Sequence, residues 1–486
     1  MSSANHTATA AGDCTLRAAA AVYCVSDMRW LIVIVVAACG QSAHVAPPPP
    51  VIGAEAGRYH DPIEAQVRPF LDAELVSGVV VGLYNAGKTE IYGFGKGPNN
   101  APPDGATLFE LGPVTKVFTS LLLADAVQRR EVVLDAPLAE LLPPGVTVPI
   151  RDKVEITLKH LALHSSGLPP WPPSVAARGN APEVLAHYGE DALYNELIRL
   201  ELQATPGTQI AYSNFGAGLL GFVLGRKLGG GFAKVLGDRV LKPLDLKDTV
   251  LTVAPAAAAR RAAGTTDDLA AAPPWTFDAL AGAAALWTTA RDQLQLIDAE
   301  LDAAEGGSRP LRRAMKLTQE PELDRAGQNE GLGWMIDSAG RYWHNGSTAG
   351  FHAFIGFDPK TKHGVVVLAS TATSLVDRLA AAAYKILDDP SAPPEPAKFA
   401  TPADHARFAG TYDLAGSRLS VIAVGKRLYL EGPGEPRHRL SPLSDHEFII
   451  ESLQSIAVFE KDGDKIARMV FGIGDRTIAA PRVDAK

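Results

Sequence analysis

Residues 109–116 read FELGPVTK and place a proline at the start of a helix. The apolar residues that follow recur at α-helical spacing, which predicts a helix over 113–130. Residues three apart share a helix face, so position 113 is expected to lie over the ammonium group of Lys116. A serine at 113 would be a nucleophile beside a lysine of lowered pKa, at a helix N-terminus that favours developing negative charge. Pro113 has no hydroxyl to supply.

The composition indicates an ordinary globular protein of 486 residues, or about three domains at roughly 150 residues each. It is 47% hydrophobic and 21% charged, which argues against a disordered chain. The net charge of −8 is spread without a basic block, so no nucleic-acid partner is expected. The three cysteines all precede residue 40, which excludes a disulfide or a cysteine-based zinc site in the folded part. We expect no metal and no cofactor.

The first 39 residues are predicted to be a leader. Residues 28–41 read MRWLIVIVVAACGQ, an apolar run too short to span a bilayer, which needs ~20 residues, and suited to a signal peptide. The run ends in a segment that resembles the lipobox of bacterial lipoproteins, which predicts lipidation at Cys39 and a membrane anchor in the cell envelope. A generic cleaved signal, or a true start at Met28, remains the alternative. The Pro-rich residues 40–56 are predicted to be an extended tether.

Two folded units are expected after the tether. In the first, 57–390, strand–turn–strand signals occur early (77–95) and strands return late (352–370) around a helical middle. This order predicts an α/β domain whose terminal segments share an antiparallel sheet. The second unit, 403–486, has short β-rich segments and is predicted to be a small all-β domain, a barrel or a sandwich.

Two further motifs in the first unit carry polar groups suited to a site. Tyr212 and Asn214, two residues apart in AYSN, can project to the same side of an extended segment. HNGS begins at His344 and contains Gly346, a glycine that would let a substrate approach the backbone of a strand. Each motif alone is weak evidence.

In this order and at these intervals, the three motifs resemble those of the serine β-lactamase and penicillin-binding-protein superfamily, closest to class C β-lactamases and D-alanyl-D-alanine carboxypeptidases. The resemblance runs from about residue 60 to 390 and implies a DD-peptidase-like domain, an antiparallel sheet flanked by helices with a helical subdomain. The all-β unit resembles the lipocalin-like appendage of some serine hydrolases. The resemblance also implies roles: Pro113 at the nucleophile position, Lys116 and Tyr212 in proton transfer, and Asn214, His344, Gly346 and Ser347 in substrate binding.

The departure from the family lies at the nucleophile. By the resemblance, the oxyanion is bound by the amide of residue 113 and the amide of Ser347, so a proline removes both the attacking group and one of two donors. Loss of a serine nucleophile costs on the order of 10⁶ in turnover, and loss of an oxyanion donor about 10²–10³. Proline is favoured in the first turn of a helix, so the fold should accept Pro113. The hydroxyls of Thr115 and Ser120 are not expected to replace it.

The sequence therefore predicts a catalytically impaired pseudoenzyme that binds a peptidoglycan-like peptide, a lactam or a partner in the envelope. The alternative is an active β-lactamase, esterase or D-amino-acid peptidase that uses a substitute nucleophile, or whose serine 113 has been recorded as proline. A working role for 403–486 is a third possibility. His160 and His164, four residues apart, are predicted to be structural.

Overall fold

The computed structural model describes residues 57–179, 182–306, 309–325, 328–473 and 476–483. The predicted leader, tether and Cys39 lie outside these residues. The first domain is built on an antiparallel sheet of order β2-β1-β10-β9-β8-β7-β6-β5. Its strands are β1 (Gly78–Asn85), β2 (Lys88–Gly95), β5 (Leu323–Arg325), β6 (Gln328–Glu330), β7 (Met335–Ile336), β8 (Tyr342–Ser347), β9 (His352–Asp358) and β10 (His363–Ala369), while β3 (Phe109–Glu110) and β4 (Trp287–Thr288) pair separately.

The predicted sharing of one sheet by the two ends of the domain is confirmed. β1 pairs with β2 across the turn at 86–87 and with β10 on its other side, with Val79 opposite Ala369. β1 shows near-continuous burial, as expected for a central strand covered on both faces.

Helices cover both faces of this sheet. α1 and α12 pack together on one face, and α10 packs on the other against β1 and β10. The helical middle holds the remaining helices. In chain order the helices are α1 (His60–Asp72), α2 (Thr115–Gln128), α3 (Leu158–Ala162), α4 (Pro173–Ala176), α5 (Pro182–Ala186), α6 (Glu190–Arg199), α7 (Asn214–Leu228), α8 (Gly231–Leu236), α9 (Ala281–Ala284), α10 (Ala290–Ala304), α11 (Pro310–Thr318) and α12 (Asp377–Asp388).

α2 is the central helix of the first domain and carries the first motif. A short 3₁₀ turn over Gly112–Val114 leads into it, so the regular helix begins two residues later than the pattern predicts. Gly112 starts this turn with φ +56°, and a Cβ there would lie 3.0 Å from Thr348 Cγ2. Every residue from Thr115 to Ala126 is buried, so α2 is a core helix on all sides. Lys116 therefore lies in the interior.

The C-terminal unit is a closed barrel, as one of the two predicted forms. A short helix, α13 (His405–Phe408), precedes its strands. These are β11 (Gly410–Leu414), β12 (Ser417–Val424), β13 (Arg427–Glu431), β14 (His438–Pro442), β15 (Glu447–Ile450), β16 (Ser455–Asp462), β17 (Lys465–Ile473) and β18 (Arg476–Val483). Phe448 packs edge-on against Phe408 and Phe459, whose rings are tilted against each other, so side chains fill the interior.

The barrel is attached to the first domain through polar contacts. Arg439 is 5% exposed and donates to the main-chain oxygens of Asp267 and Glu74. Glu451 accepts hydrogen bonds from the segment just before α12. Across the described residues, no helix has the length and apolar character needed to cross a membrane.

Candidate functional site

The three sequence motifs meet at one cavity of about 340 Å³ between the start of α2, the segment before α7 and strand β8. Of the predicted residues, Pro113, Lys116, Tyr212, His344 and Gly346 line it. Asn214 reaches the cavity through its contact with Lys116. The lining also includes Ser120, His164, Glu330, Trp343 and Asn345.

Lys116 is the buried cation of this cavity. Its side chain is 3% exposed, and Nζ donates to Asn214 Oδ1 at 2.7 Å and to the Ala283 main-chain oxygen at 3.0 Å. Nζ also lies 4.7 Å from the centre of the Tyr212 ring. Burial lowers the pKa of Lys116 to about 7. The amine is therefore held by fixed acceptors, and near neutral pH it exists in both protonation states.

The segment before α7 positions the second motif. Ser213 caps the helix: its Oγ accepts from the Gly216 N–H at 2.9 Å and donates to the Pro169 oxygen at 2.7 Å. This cap turns Asn214 toward Lys116 and leaves Tyr212 46% exposed. Tyr212 presents its ring face to the ammonium, while the Lys116 hydrogen bonds go to other groups.

His164 supports this segment from behind. Its ring packs against that of Tyr212 with 4.6 Å between centroids, and its Nδ1 accepts from the Ser213 N–H at 3.2 Å. His164 thus holds the Tyr212 segment in place, and it also lines the cavity. His160 lies apart, where its Nδ1 accepts from the Thr157 N–H in the cap of α3.

Pro113 lines the cavity and contacts strand β8. A Cβ built on Gly346 would lie 2.5 Å from both Cβ and Cγ of Pro113, and 2.6 Å from Cδ. The space that a glycine leaves open beside a strand is therefore taken by the proline ring.

His344 is the neutral member of the site. It is buried, and Nδ1–H donates to the Asn345 main-chain oxygen at 2.8 Å. Burial, and then the nearby charge of Lys116, lower its pKa to about 3. At physiological pH the imidazole carries no charge and can act only as a hydrogen-bonding group.

Of the other hydroxyls near position 113, those of Thr115 and Ser347 bond away from the cavity, while Ser120 lines it. Thr115 Oγ1 accepts from the Leu286 N–H at 3.2 Å, away from the cavity. Ser120 is 3% exposed and lines the cavity. Ser347 directs its hydroxyl to His352, a residue that sequence reasoning did not select. Glu330, which lines the cavity just before the segment GLGWMI (331–336), was also missed.

Comparison with known proteins agrees with this architecture. The model of the Beta-lactamase family matches residues 63–389, more than half of the chain. The chain belongs to the Beta-lactamase family. Its match to the D-alanyl-D-alanine-carboxypeptidase/endopeptidase AmpH of Escherichia coli K12 is 32% identical over 164 residues, 34% of this chain and 42% of that protein. The chain thus spans about two fifths of that relative.

Two matches that cover more of the chain are to proteins named Beta-lactamase. The protein of Escherichia coli K12 is 25% identical over 351 residues, covering 64% of this chain and 89% of the relative. That of Lysobacter lactamgenus is 26% identical over 391 residues, covering 72% and 95%. The family and fold predicted from the motifs are thereby confirmed.

Proposed function

We propose that this Beta-lactamase family member binds a peptidoglycan-like peptide or a lactam without forming an acyl-enzyme at position 113. It would act as a catalytically impaired pseudoenzyme in the cell envelope, exported or held by a lipid at Cys39. The relatives' names include a D-alanyl-D-alanine carboxypeptidase and β-lactamases, which favour this ligand class.

The observation that carries the proposal is the position of Pro113. It stands where the family resemblance puts the nucleophile, and it offers neither a hydroxyl nor a main-chain N–H. Its ring lies against Gly346, so it also covers the backbone that an extended substrate would approach. Nucleophile, oxyanion donor and substrate path are all affected by one residue.

The rest of the site supports retained binding. A buried lysine is costly unless its donors are satisfied, and Lys116 has two fixed acceptors and an aromatic face. The cavity of about 340 Å³ falls at the small end of the range for ligand sites, roughly 300–1,000 Å³. Its neutral His344 beside Lys116 suits a polar ligand with carbonyl and carboxylate oxygens.

A serine at 113 is the competing explanation, since serine and proline codons can differ by one base. Resequencing the gene separates the two. A serine codon would replace this proposal with an active hydrolase of acyl-serine mechanism.

The direct test is intact-mass spectrometry after incubation with a penicillin, comparing the natural chain, Pro113→Ser and Pro113→Ala. The alanine variant restores the main-chain N–H without a nucleophile and is the matched control. We expect one added probe mass on Pro113→Ser alone. Stable acylation of the natural chain by penicillin would refute the proposal.

Binding is measured separately by calorimetry with a D-alanyl-D-alanine peptide and with the same penicillin. We expect saturable, non-covalent binding by the natural chain that Asn214→Ala weakens, because that variant releases Lys116 from its amide partner. If neither ligand binds, the proposed ligand class is wrong.

A further inference from the structure

A second polar cluster lies at the end of the β8–β9 hairpin and is formed by Ser347, His352 and Asp377. Ser347 ends β8 and is the direct cross-strand partner of His352, the first residue of β9. Asp377 is the first residue of α12. Ser347 Oγ lies 2.6 Å from His352 Nδ1, and His352 Nε2 lies 2.8 Å from Asp377 Oδ1. Three elements thus bring a hydroxyl, an imidazole and a carboxylate into one hydrogen-bonded chain.

The order of donors along this chain is fixed by Asp377. Its Oδ1 accepts from His352 Nε2–H, and its Oδ2 accepts from Asn345 Nδ2 at 2.5 Å. With the proton on Nε2, Nδ1 of a neutral His352 is an acceptor, so Ser347 Oγ–H donates to it. The serine is therefore bonded to a base that is itself oriented by a carboxylate.

Within this hydrogen-bonded series, the Ser347 residue is more exposed to solvent than the His352 imidazole. The His352 side chain is 3% exposed, while that of Asp377 is 30% exposed and Ser347 is exposed. A shielded imidazole keeps its orientation, and an exposed hydroxyl can meet a substrate from solvent. Nucleophile, base and orienting group within hydrogen-bond reach are the features expected of an activated serine.

This cluster adjoins the Lys116 cavity through Asn345, which lines that cavity and donates to Asp377. Successive strand residues point to opposite faces, so Ser347 and Gly346 project to different sides of β8. Gly346 contacts Pro113, whereas Ser347 contacts His352. Ser347 is not among the described residues that line the cavity, so labelling of its hydroxyl can be measured apart from ligand binding at Lys116.

We propose that Ser347 is a nucleophile toward carboxylic esters, with His352 as general base and Asp377 as its positioning residue. Ser347 Oγ attacks the carbonyl carbon while its proton passes to His352 Nδ1. The C–O bond to the alcohol breaks, and His352 returns the proton to the leaving alcohol. Water, deprotonated by His352, then attacks the acyl carbon; the bond from that carbon to Ser347 Oγ breaks, His352 returns the proton to Oγ, and the carboxylic acid leaves.

A second serine–histidine pair provides an internal control. In the barrel, Ser452 Oγ lies 2.9 Å from His438 Nδ1 in an exposed position. Among the described residues, no carboxylate bonds or pairs with that imidazole. A bare serine–histidine contact is thus present in the same molecule without an orienting acid.

The test is labelling of the full chain with an alkyl fluorophosphonate, followed by peptide mapping. Attack by Oγ forms an O–P bond, breaks the P–F bond and releases fluoride, with the proton taken by His352. We expect label on Ser347 and none on Ser452. Label on Ser452 in place of Ser347, or no label, would overturn the proposal.

Variants separate activation from a purely structural contact. Ser347→Ala should abolish labelling and lower the rate of p-nitrophenyl acetate hydrolysis to that of the double variant Ser347→Ala/Ser452→Ala. Ser452→Ala alone should leave the labelling of Ser347 and the hydrolysis rate unchanged. His352→Gln should slow labelling of Ser347 by about 100-fold, the lower range for a general base, and added imidazole should restore part of it. Equal labelling rates in natural chain and His352→Gln would contradict the role of the base.

The outcome is independent of the penicillin experiment. Fluorophosphonate label on Ser347 with no penicillin adduct supports both proposals. Penicillin binding without labelling of Ser347 would leave the proposed ligand binding at the Lys116 cavity intact. It would refute only the role of Ser347 as a nucleophile.

Discussion

Pro113 and Gly346 are in direct contact, with the proline ring seated where any side chain at 346 would stand. A Cβ on Gly346 would come within 2.5 Å of two ring carbons. The start of α2 and strand β8 are two of the walls of the cavity, and this contact joins them. Pro113, at the position that the family resemblance assigns to the nucleophile, therefore also shapes the site.

The first prediction concerns this contact. Gly346→Ala should lower the free energy of unfolding by about 1–3 kcal/mol, because the added methyl overpacks a junction between a rigid ring and a strand. In a Pro113→Gly background, the same substitution should cost less, since the opposing carbons are gone. Urea denaturation of the four chains gives the coupling between the two positions.

Gly237→Ala is the control for that cycle. Gly237 has φ −58°, and nothing lies within 4 Å of a Cβ built there. Its alanine variant should change the unfolding free energy by less than about 1 kcal/mol, in the stabilising direction. Equal costs of Gly346→Ala in both backgrounds would show that the ring does not limit the space.

The second prediction concerns Lys116, whose pKa burial lowers to about 7. In the unfolded chain a lysine keeps its proton to about pH 10.4. Between these values the unfolded state binds the extra proton, so the natural chain gains stability as pH rises from about 7. Relative to Lys116→Met, the gain should reach at most about 1.4 kcal/mol per pH unit, measured by denaturation at pH 7, 8 and 9.

Lys234→Met is the matched control, because the Lys234 ammonium is 66% exposed beside Asp238. Its stability curve should run parallel to that of the natural chain over the same pH range. If the stability curve of Lys116→Met also runs parallel to that of the natural chain, Lys116 stays charged in the folded state from pH 7 to 9.

Much of the fold could be predicted from the sequence because it follows from local patterns. The hairpin of β1 and β2, the β-rich C-terminal unit and helix α2 each follow from alternation, turn residues or periodicity. The motifs also brought Lys116, Tyr212 and His344 to one site. Their grouping rests on the family resemblance, since spacing along the chain cannot place segments so far apart.

The missing parts depend on tertiary contacts that have no local signal. The family resemblance implies a main-chain donor at Ser347. Its hydroxyl, however, bonds to His352 across a hairpin, and His352 in turn bonds to Asp377 at the start of a helix. The packing of Pro113 on Gly346 could not be predicted either. A glycine in a strand indicates that some group approaches the backbone closely, but not which group it is. Helix α2 began later than predicted because the proline stands in a 3₁₀ turn.

The third prediction concerns His344, whose pKa is lowered to about 3 by burial and by Lys116. An unfolded imidazole takes up a proton below about pH 6.5. Between these values only the unfolded state is protonated, so the contribution of His344 to stability falls as the pH is lowered from about 6.5. His344→Gln lacks this titration and should lose less stability between pH 6.5 and 5.

The comparison is made by denaturant midpoints at several pH values, where other titrating groups affect both chains alike. The difference in unfolding free energy should move in favour of His344→Gln by at most about 1.4 kcal/mol per pH unit. A constant difference across this range would mean that His344 titrates equally in both states.

The fourth prediction concerns the attachment of the barrel. Glu451 Oε1 accepts from Thr373 Oγ1 at 3.1 Å, and from the N–H and Oγ of Ser374, each at 3.0 Å. Glu451→Ala removes this shared acceptor and should cost about 1–3 kcal/mol in the docking of the barrel, because the donors lose their charged partner. The measurement is the rate of limited proteolysis within residues 390–401, which should rise while barrel unfolding is unchanged.

Glu435→Ala is the control for that measurement, since Glu435 is exposed in a barrel turn. Its variant should be cleaved at the rate of the natural chain. The segment that Glu451 holds leads directly into α12, whose first residue is Asp377. Glu451→Ala should therefore also slow labelling of Ser347, because a looser segment disturbs the carboxylate that orients His352. Faster proteolysis with an unchanged rate of labelling would show that α12 holds Asp377 in place without the barrel.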